Sequence, residues 1–207
     1  MSKHASTKRS TPGDEKLGTT GDTKLKIALD AGHGSLTDKP HTGASANGLV
    51  EDEITLDFVR RIGHHLRAAG HKTVITRTDN KLISLTKRAQ IARSARCDAF
   101  VSIHCNAGPP AANGAEAFIA AGDRRSQALA IRLVEVLANQ GLRDRGVKAD
   151  SESQHSRLAV LRGTCRYMPA VLLEVGFLTN THDADLLKNP EWREETAIAL
   201  ADAVVGT

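Results

Sequence analysis

The sequence predicts an α/β fold, a three-layer sandwich with helices on both faces of a twisted, mixed but mainly parallel sheet of about six strands. Three observations support this prediction. Short apolar runs typical of buried strands alternate with longer segments in which apolar residues recur every three or four positions, as on amphipathic helices. The 207 residues, 40% of them hydrophobic and 25% charged, have the size and composition of one globular domain. The chain shows neither an internal repeat nor a second domain.

The first half of the chain repeats the order strand, loop, helix. Residues 25–31 form an apolar strand, and a glycine-rich loop leads from it to a helix over 51–70, whose apolar residues recur every four positions. The next strand covers 71–77, and a helix with a serine cap covers 84–96. A buried strand follows at 97–104 and ends at a histidine. This alternation indicates crossover connections and parallel pairing.

The second half continues the alternation with less regular spacing. A polar segment, 143–156, is predicted to cross between elements without regular structure. A strand at 114–120 is expected at an edge of the sheet. The other predicted elements are strands at 158–161 and 170–177 and helices at 126–140, 182–187 and 190–205.

The N-terminal residues differ in composition from the rest. Residues 1–23 are rich in Ser, Thr, Lys, Gly and Asp and contain no apolar stretch, so we expect a disordered polar tail before the folded domain at 24–207. This composition predicts neither a secretory signal peptide nor a membrane anchor. A protein made in the cytoplasm and acting outside it would then need lysis, specialised secretion or holin-type release. Alternatively, its signal peptide would have been removed from this chain.

The charge balance and the cysteines narrow the function classes. A net charge of +4 favours anionic partners, but no Lys/Arg block or nucleic-acid motif accompanies it, so nucleic-acid binding is not expected. Aromatic residues make up only 3%, which argues against recognition by base or sugar stacking. The three cysteines, Cys97, Cys105 and Cys165, lack a C-x-x-C pair and fit buried apolar positions better than a disulfide framework.

Four polar residues stand where apolar runs meet loops: His33 in LDAGHG, Glu51 in GLVEDE, His104 in VSIHCN and Glu174 in VLLEVGF. The carboxyl ends of parallel strands meet at one edge of a sheet, where α/β proteins form their binding sites. Two imidazoles and a carboxylate can hold a catalytic zinc ion with one position open to water, and a further glutamate can transfer protons. The spacing leaves open that the histidines are hydrogen-bonded loop residues and that Glu174 pairs with a surface lysine.

The order and content of the motifs resemble one known family. LDAGHG, NGLVEDE, SLTKRAQIAR followed by CDAFVSIHCNA, GAEAF and MPAVLLEVGFLTN look like the zinc-dependent N-acetylmuramoyl-L-alanine amidases. The chain is most similar to the amidase-3 branch, found in bacterial cell-separation amidases, sporulation lysins and some phage endolysins, and the resemblance covers residues 25–205. It implies hydrolysis of the amide between the lactyl group of N-acetylmuramic acid and the L-alanine of the peptidoglycan stem peptide.

The resemblance also implies roles for individual residues. It makes His33, Glu51 and His104 the ligands of one Zn²⁺ per chain and Glu174 the catalytic base and acid. Glu53 is the alternative to Glu51 as the carboxylate ligand.

The chain departs from the family pattern around these residues without changing them. Ser35 stands where a second glycine usually follows GHG, and Cys105 stands where an alanine usually follows the second histidine. The loop 35–47, which carries His41, differs most, and its part in substrate binding is open.

Three further residues are candidates for binding substrate or supporting the site. Asn106 lies two positions after His104 and shares its side of the sheet if the strand continues. Glu116, in GAEAF, stands at a family-typical position, with a structural ion pair as the equal alternative. Arg77 ends the second strand and is expected to be structural or adjacent to substrate. The other histidines carry no assigned role, and His64 with its neighbour is expected to be solvated.

The resemblance implies peptidoglycan, an anionic cell-wall polymer, as the partner, and a monomer without a membrane span is expected. Predicted elements fill the interval between His104 and Glu174, so no inserted autoinhibitory helix is expected and the site should need no activator. Two other function classes stay open: a catalytically silent wall-binding or regulatory relative, and a related zinc exopeptidase or deacylase. The sequence does not indicate the host, the biological role, the delivery route or the preferred peptidoglycan chemotype.

Overall fold

The computed structural model of the chain describes residues 23–38 and 40–206, so the predicted polar tail lies outside the described residues except for its last position. The described segments form eight strands and six α-helices, with short 3-10 helices at Arg124–Ser126 and Asp150–Glu152. The strands are β1 (Lys26–Ala31), β2 (Ser45–Ala46), β3 (Leu49–Val50), β4 (Lys72–Ile75), β5 (Ala99–Asn106), β6 (Ala115–Ile119), β7 (Asp144–Ala149) and β8 (Ala170–Phe177). The helices are α1 (Glu51–Ala68), α2 (Leu85–Ser94), α3 (Gln127–Asn139), α4 (Ala159–Thr164), α5 (Thr181–Lys188) and α6 (Pro190–Val205).

Six of the strands form one mixed and mainly parallel sheet in the order β4-β1-β5-β8-β6-β7. The strands β4, β1, β5 and β8 are parallel neighbours. The strand β6 is antiparallel to β8 and parallel to β7. The strands β2 and β3 form a separate hairpin directly before α1. The predicted fold class is therefore confirmed.

Helices cover both faces of the sheet and create two apolar cores. The larger core joins α1, α3, α5 and α6 to the sheet and includes Phe58, Leu133 and Leu200 together with Ile103 of β5. The smaller core joins α2 and α4 to the other face, where Phe100 of β5 is buried. Residues of β5 belong to different cores because neighbouring side chains of a strand point to opposite faces.

The strand predicted at an edge of the sheet, 114–120, is an interior strand. The strand β7 lies outside it and forms the edge, within the segment predicted to lack regular structure. None of the residues of β7 is fully buried and half of them are charged, so this strand carries no apolar run that periodicity can detect. Because β6 is antiparallel to β8, its first residues lie beside the last residues of β8.

The strand predicted at 158–161 is wrong, because this segment opens the short helix α4. Val160 and Leu161 are buried in the smaller core, whereas Ala159 is exposed. A short apolar run fits a buried helical turn as well as a strand, and periodicity cannot separate the two.

Three smaller features are a helix cap, the state of the cysteines and the length of the apolar helices. The hydroxyl of Ser84 accepts a hydrogen bond of 3.2 Å from the Lys87 N–H and caps α2 as predicted. Cys97 and Cys105 are buried, Cys165 is partly buried, and all three are free thiols. None of the helices in the described segments is long and apolar enough to cross a bilayer.

Candidate active site

His33 lies in the loop after β1 and has a left-handed backbone, with a φ of 58°. This conformation is costly for a residue with a side chain, so surrounding contacts must hold it. The carbonyl oxygen of His33 accepts a hydrogen bond from the buried guanidinium of Arg88 on α2. Arg88 also donates to the Asp30 carboxylate over 2.9 Å and to the Ala31 carbonyl. The helix α2 therefore fixes the loop that presents the imidazole.

Glu51 is the first residue of α1, and two backbone N–H groups orient its buried carboxylate. The Ala44 N–H donates to Oε2 over 2.9 Å, and the Cys105 N–H donates to Oε1 over 3.0 Å. Burial alone would raise the pKa of this carboxyl, but hydrogen bonds from His104 and His33 outweigh it and hold the pKa well below the usual range. Glu51 is therefore ionised and fixed in orientation.

His104, near the end of β5, completes a compact group with His33 and Glu51. His104 Nδ1 and His33 Nε2 each lie 3.2 Å from Glu51 Oε1. One ligand-type atom from each of the three residues lies within 4.8 Å of the other two. A β-carbon on Gly32 would lie 2.5 Å from the His104 ring, so this close approach requires glycine.

The group of His33, Glu51 and His104 has a donor set that fits a metal ion. Two imidazoles and one carboxylate are typical ligands of catalytic zinc sites with an open position. The side chains of His33 and His104 are 32% and 17% exposed, so water can reach them. Among the residues that the structure describes, no other His, Cys, Asp or Glu cluster has this spacing. Glu53, the alternative carboxylate, is exposed and does not belong to the group.

Glu174 on β8 is the register partner of His104 on β5, so both side chains point to the same side of the sheet. Its Oε2 is buried and has no hydrogen-bond partner among the described residues. Burial, followed by the negative charges of Glu51 and Glu116, raises the pKa of Glu174 well above its usual value. A carboxyl with an unused acceptor and a raised pKa is suited to exchanging a proton with a bound substrate.

Glu116 on β6 is the register partner of Glu174 on its other side. Its Oε1 accepts a hydrogen bond of 2.9 Å from the Asn106 amide. Its Oε2 accepts one of 2.8 Å from Arg145 and another from Lys148. Burial opposes ionisation of Glu116, but these three donors outweigh it and lower its pKa. Glu116 and Asn106 thus lie beside Glu174. Because Glu116 already accepts three hydrogen bonds, it is better suited to supporting the site than to transferring a proton.

Arg77 lies two residues after β4 and is buried beneath the loop that follows β1. Its guanidinium donates to the carbonyl oxygens of Ala31, Gly32 and Asp52 over 3.0, 2.8 and 2.7 Å. Burial, followed by the charge of Arg88, lowers its pKa to about 10. Arg77 stays cationic at neutral pH, and its contacts with backbone carbonyls are those of a structural residue.

The loop 35–47 packs on the start of α1. The hydroxyl of Ser35 donates to Asp52 Oδ2 over 3.0 Å, and His41 Nδ1 lies 3.0 Å from Asp52 Oδ1. His41 therefore pairs with Asp52 and does not join the candidate metal ligands.

Sequence analysis missed residues that shape the site without offering a ligand. A β-carbon on Gly43 would lie 2.7 Å from Glu51 Oε2 and 2.9 Å from His33 Cγ. Arg88 and Asp30 form a buried ion pair of 2.9 Å under the His33 loop. The charge inside the apolar run LDA was a signal for Asp30, whereas no local signal marks Gly43.

The other histidines in the described part of the chain do not belong to the metal-binding group. His64 is exposed as expected, but His65 is only half-exposed because its Nε2 lies 2.8 Å from the Glu194 carboxylate of α6. His155 and His182 are exposed.

A cleft of about 190 Å³ adjoins the candidate metal ligands. His33 and His104 line one side of it, and Leu82, Ile83 and Leu85 line another. The cleft provides a partly apolar surface beside the group, where part of a substrate can lie.

Comparison with known proteins gives one consistent result. A family model described as N-acetylmuramoyl-L-alanine amidase matches residues 27–205. The chain is 37% identical over 186 residues to the N-acetylmuramoyl-L-alanine amidase LytC of Bacillus subtilis, covering 86% of this chain and 34% of LytC. It is 33% identical over 186 residues to the endolysin of Bacillus phage SPP1, covering 86% of this chain and 64% of the endolysin. The chain thus spans less than two thirds of either relative.

The fold is also similar to a solved amidase structure. The catalytic domain of CwlV, an N-acetylmuramoyl-L-alanine amidase from Bacillus (Paenibacillus) polymyxa var. colistinus, matches with a TM-score of 0.76 and 29% sequence identity. The match covers 88% of this chain and 97% of that domain.

Proposed function

The chain belongs to the amidase-3 family of N-acetylmuramoyl-L-alanine amidases, and we propose that it hydrolyses peptidoglycan at the amide between the lactyl group of N-acetylmuramic acid and L-alanine. This proposal rests mainly on one observation. His33, Glu51 and His104 converge within ligand distance beside Glu174, at the carboxyl edge of a sheet shared with solved amidases.

His33, Glu51 and His104 are proposed to hold one zinc ion. When bound, zinc supplies Lewis acidity and acidifies a water molecule at its open position. The His33 backbone and the Glu51 carboxylate are already oriented, because Arg88 holds the first and two backbone N–H groups hold the second. Preorganised ligands lose little conformational entropy on binding, which favours high affinity.

Glu174 is proposed to accept a proton from the attacking water and to deliver it to the alanine nitrogen as the amide bond breaks. Its unpaired and buried Oε2 can take this proton without first breaking another hydrogen bond. The negative charge of Glu116 adds to the effect of burial in raising the pKa of Glu174. Asn106, Arg145 and Lys148 keep Glu116 in place by hydrogen bonds.

We further propose that residues 24–207 form a self-sufficient, monomeric catalytic domain that acts on the cell wall outside the cytoplasm. The partial exposure of His33 and His104 supports a site that works without an activator protein. The retention of Glu174 beside the metal-binding group argues against a silent wall-binding relative.

The test is digestion of purified peptidoglycan by the zinc-loaded protein, with and without a chelator, followed by mass analysis of the soluble products. We expect free stem peptides that begin with L-alanine, lost with the chelator and restored by zinc. Shortened stems still attached to sugar would indicate an exopeptidase instead. Absence of any product would support the silent relative, and full activity in the chelator would refute the metal assignment.

A further inference from the structure

A second cavity, of about 500 Å³, lies at the ends of the strands opposite to those that carry the candidate active site. It is formed by the turn after β6 and by the end of α4. The strand β6 is antiparallel to β8, so the turn after β6 lies near the start of β8, whereas Glu174 lies near its end. The two sites are therefore separated by most of the length of the sheet.

Four arginines line this cavity, and we call it the arginine cavity: Arg124, Arg125, Arg162 and Arg166. A single carboxylate side chain, that of Asp123, lines it with them among the described residues. Asp123 and Asp150 compensate Arg125 and Arg162, so two of the four positive charges remain without an acidic partner among the described residues. The cavity is therefore a local site of positive potential.

Two of these arginines are held by neighbouring groups. The Arg162 guanidinium pairs with the buried carboxylate of Asp150, with an N–O distance of 2.6 Å. The Arg125 side chain lies 3.8 Å from Asp123 and donates to the carbonyl of Cys165. These contacts make a fixed wall rather than a set of freely moving side chains.

The other two arginines keep their donors unused. Arg124 and Arg166 are both exposed, and within the described part of the chain neither side chain forms an ion pair or hydrogen bond. Beside Arg166, the ring of Tyr167 is 64% exposed and lies 5.3 Å from the Arg93 guanidinium. The free donors of Arg124 and Arg166 and the two paired arginines beside them together form a surface that can bind an anion.

Guanidinium groups recognise phosphate through paired, charge-assisted hydrogen bonds. The adjoining N-terminal turn of the 13-residue helix α3 adds partial positive charge on the same side. We propose that the arginine cavity binds a phosphodiester-linked anionic polymer of the cell wall. The choice of this partner rests on the proposed function, which brings the protein to the wall.

The cavity lies far enough from the candidate active site for both to bind the cell wall at the same time. A polymer held at the opposite edge of the sheet leaves the cleft beside His33 and His104 open. Binding at both sites raises the local concentration of peptidoglycan at the catalytic edge, because the second contact becomes intramolecular. The chain would then gain wall affinity from the catalytic domain itself.

The test compares the double variant Arg124→Met/Arg166→Met with the control Lys72→Met/Lys188→Met. Both remove two positive charges. Lys72 lies on the far edge strand β4, and Lys188 forms an exposed ion pair of 3.4 Å with Asp185. All proteins carry Glu174→Gln to prevent digestion, and thermal unfolding verifies that each is folded. Binding is measured by co-sedimentation with Gram-positive cell walls before and after hydrofluoric acid removes their phosphate polymers.

We expect the parent to bind untreated walls about tenfold more tightly than stripped walls, which corresponds to about 1.4 kcal/mol. The difference is modest because contacts of exposed charges are individually weak. Long-chain inorganic polyphosphate should compete. The arginine variant should lose this difference, and the lysine control should keep it.

Several outcomes would overturn the proposal. Equal binding of the parent to untreated and stripped walls would exclude phosphate recognition, and wild-type behaviour of the arginine variant would exclude this cavity. Preference for poly-γ-glutamate, duplex DNA or anionic vesicles over polyphosphate would assign the surface to another partner. Digestion of stripped walls by the unmutated enzyme is assayed separately. Its failure would refute the amidase function, whereas the binding comparison in the Glu174→Gln background could still be interpreted.

Discussion

At the scale of single residues, the pKa values of three glutamates at one edge of the sheet shift in different directions because their partners differ. Glu51 and Glu116 are surrounded by donors that lower their pKa in spite of burial. Glu174 has no such donor on its Oε2, and burial next to the other two raises its pKa. Environments that drive the pKa values of neighbouring acids apart separate fixed ligands from proton carriers. This separation supports Glu174 as the proton carrier and Glu51 as the ligand.

We predict that Glu174→Gln lowers kcat/KM on peptidoglycan by about 10²- to 10⁴-fold, the usual contribution of a general acid–base group. The amide preserves shape but cannot carry the proton. Zinc content should be unchanged, because Glu174 lies outside the metal-binding group. Rates of stem-peptide release and metal analysis check this, with the exposed Glu195→Gln as control. Activity of the Glu174 variant within threefold of wild type, about 0.7 kcal/mol, would reject its catalytic role.

A second prediction concerns Gly43, which contacts the site without offering a ligand. We expect Gly43→Ala to weaken zinc binding by about 10- to 100-fold, as for other changes around metal ligands. The new β-carbon would lie 2.7 Å from Glu51 Oε2 and would displace this carboxylate. Competition with a chelator measures the affinity. In the control Gly108→Ala the nearest atom, on Phe177, lies at 3.4 Å, so unchanged affinity is expected there. Equal affinity in both variants would contradict this account.

At the scale of elements, one buried carboxylate links β7 and α4, the two segments whose secondary structure was wrongly predicted from the sequence. Asp150 follows β7 and is fully buried. It accepts hydrogen bonds from the N–H groups of Ala121 and Leu158 over 2.9 and 3.2 Å and pairs with Arg162 of α4. Asp150 therefore ties the edge strand, the turn after β6 and α4 together, although none of these has a strong apolar period.

We predict that Asp150→Asn lowers the free energy of unfolding at pH 7 by about 2 kcal/mol, because it weakens several hydrogen bonds to one buried carboxylate. Burial alone would raise the pKa of Asp150, but Arg162 and the two backbone donors outweigh it and lower the pKa. The stabilisation is thus present above the unfolded pKa of about 3.9 and is lost as the pH falls through the lower folded pKa.

Urea unfolding of wild type and Asp150→Asn at pH 7 and at about pH 3 tests this sign. The difference between the two proteins should shrink at the lower pH. The variant Asp185→Asn serves as control, since its side chain is 76% exposed and its ion pair contributes little. An equal or larger difference for Asp150→Asn in acid would contradict the assignment.

At the scale of the whole molecule, the two edges of the sheet carry different chemistry. The carboxyl ends of β1, β5 and β8 bring His33, His104 and Glu174 together, and Glu51 joins them from the start of α1. The opposite edge carries the arginine cavity. The helical layers connect the edges through two cores composed of residues between 25 and 205.

We predict that a chain beginning at residue 23 folds with the same thermal midpoint as the full chain, to within about 2 °C. Both cores and all the candidate site residues lie within the retained part. Calorimetry of the two chains, with peptidoglycan digestion in parallel, tests the proposed domain boundary. A large drop in the midpoint or a loss of activity would show that the boundary is wrong.

The sequence by itself determined the order of most periodic elements, the fold class and the candidate residues His33, His104 and Glu174. These features are local, because apolar period, helix caps and motifs depend on neighbours along the chain. Asp30 also left a local signal, as a charge within an apolar run.

Tertiary structure alone decided the features that depend on contacts between distant segments. The interior place of β6 and the edge place of β7 depend on strand pairing, which exposes β7 and removes its apolar signal. The requirement for glycine at Gly43 arises from side chains brought in by other segments. The choice of Glu51 over Glu53 follows from which side of α1 faces the histidines. Long-range packing sets each of these outcomes, and local sequence cannot encode them separately.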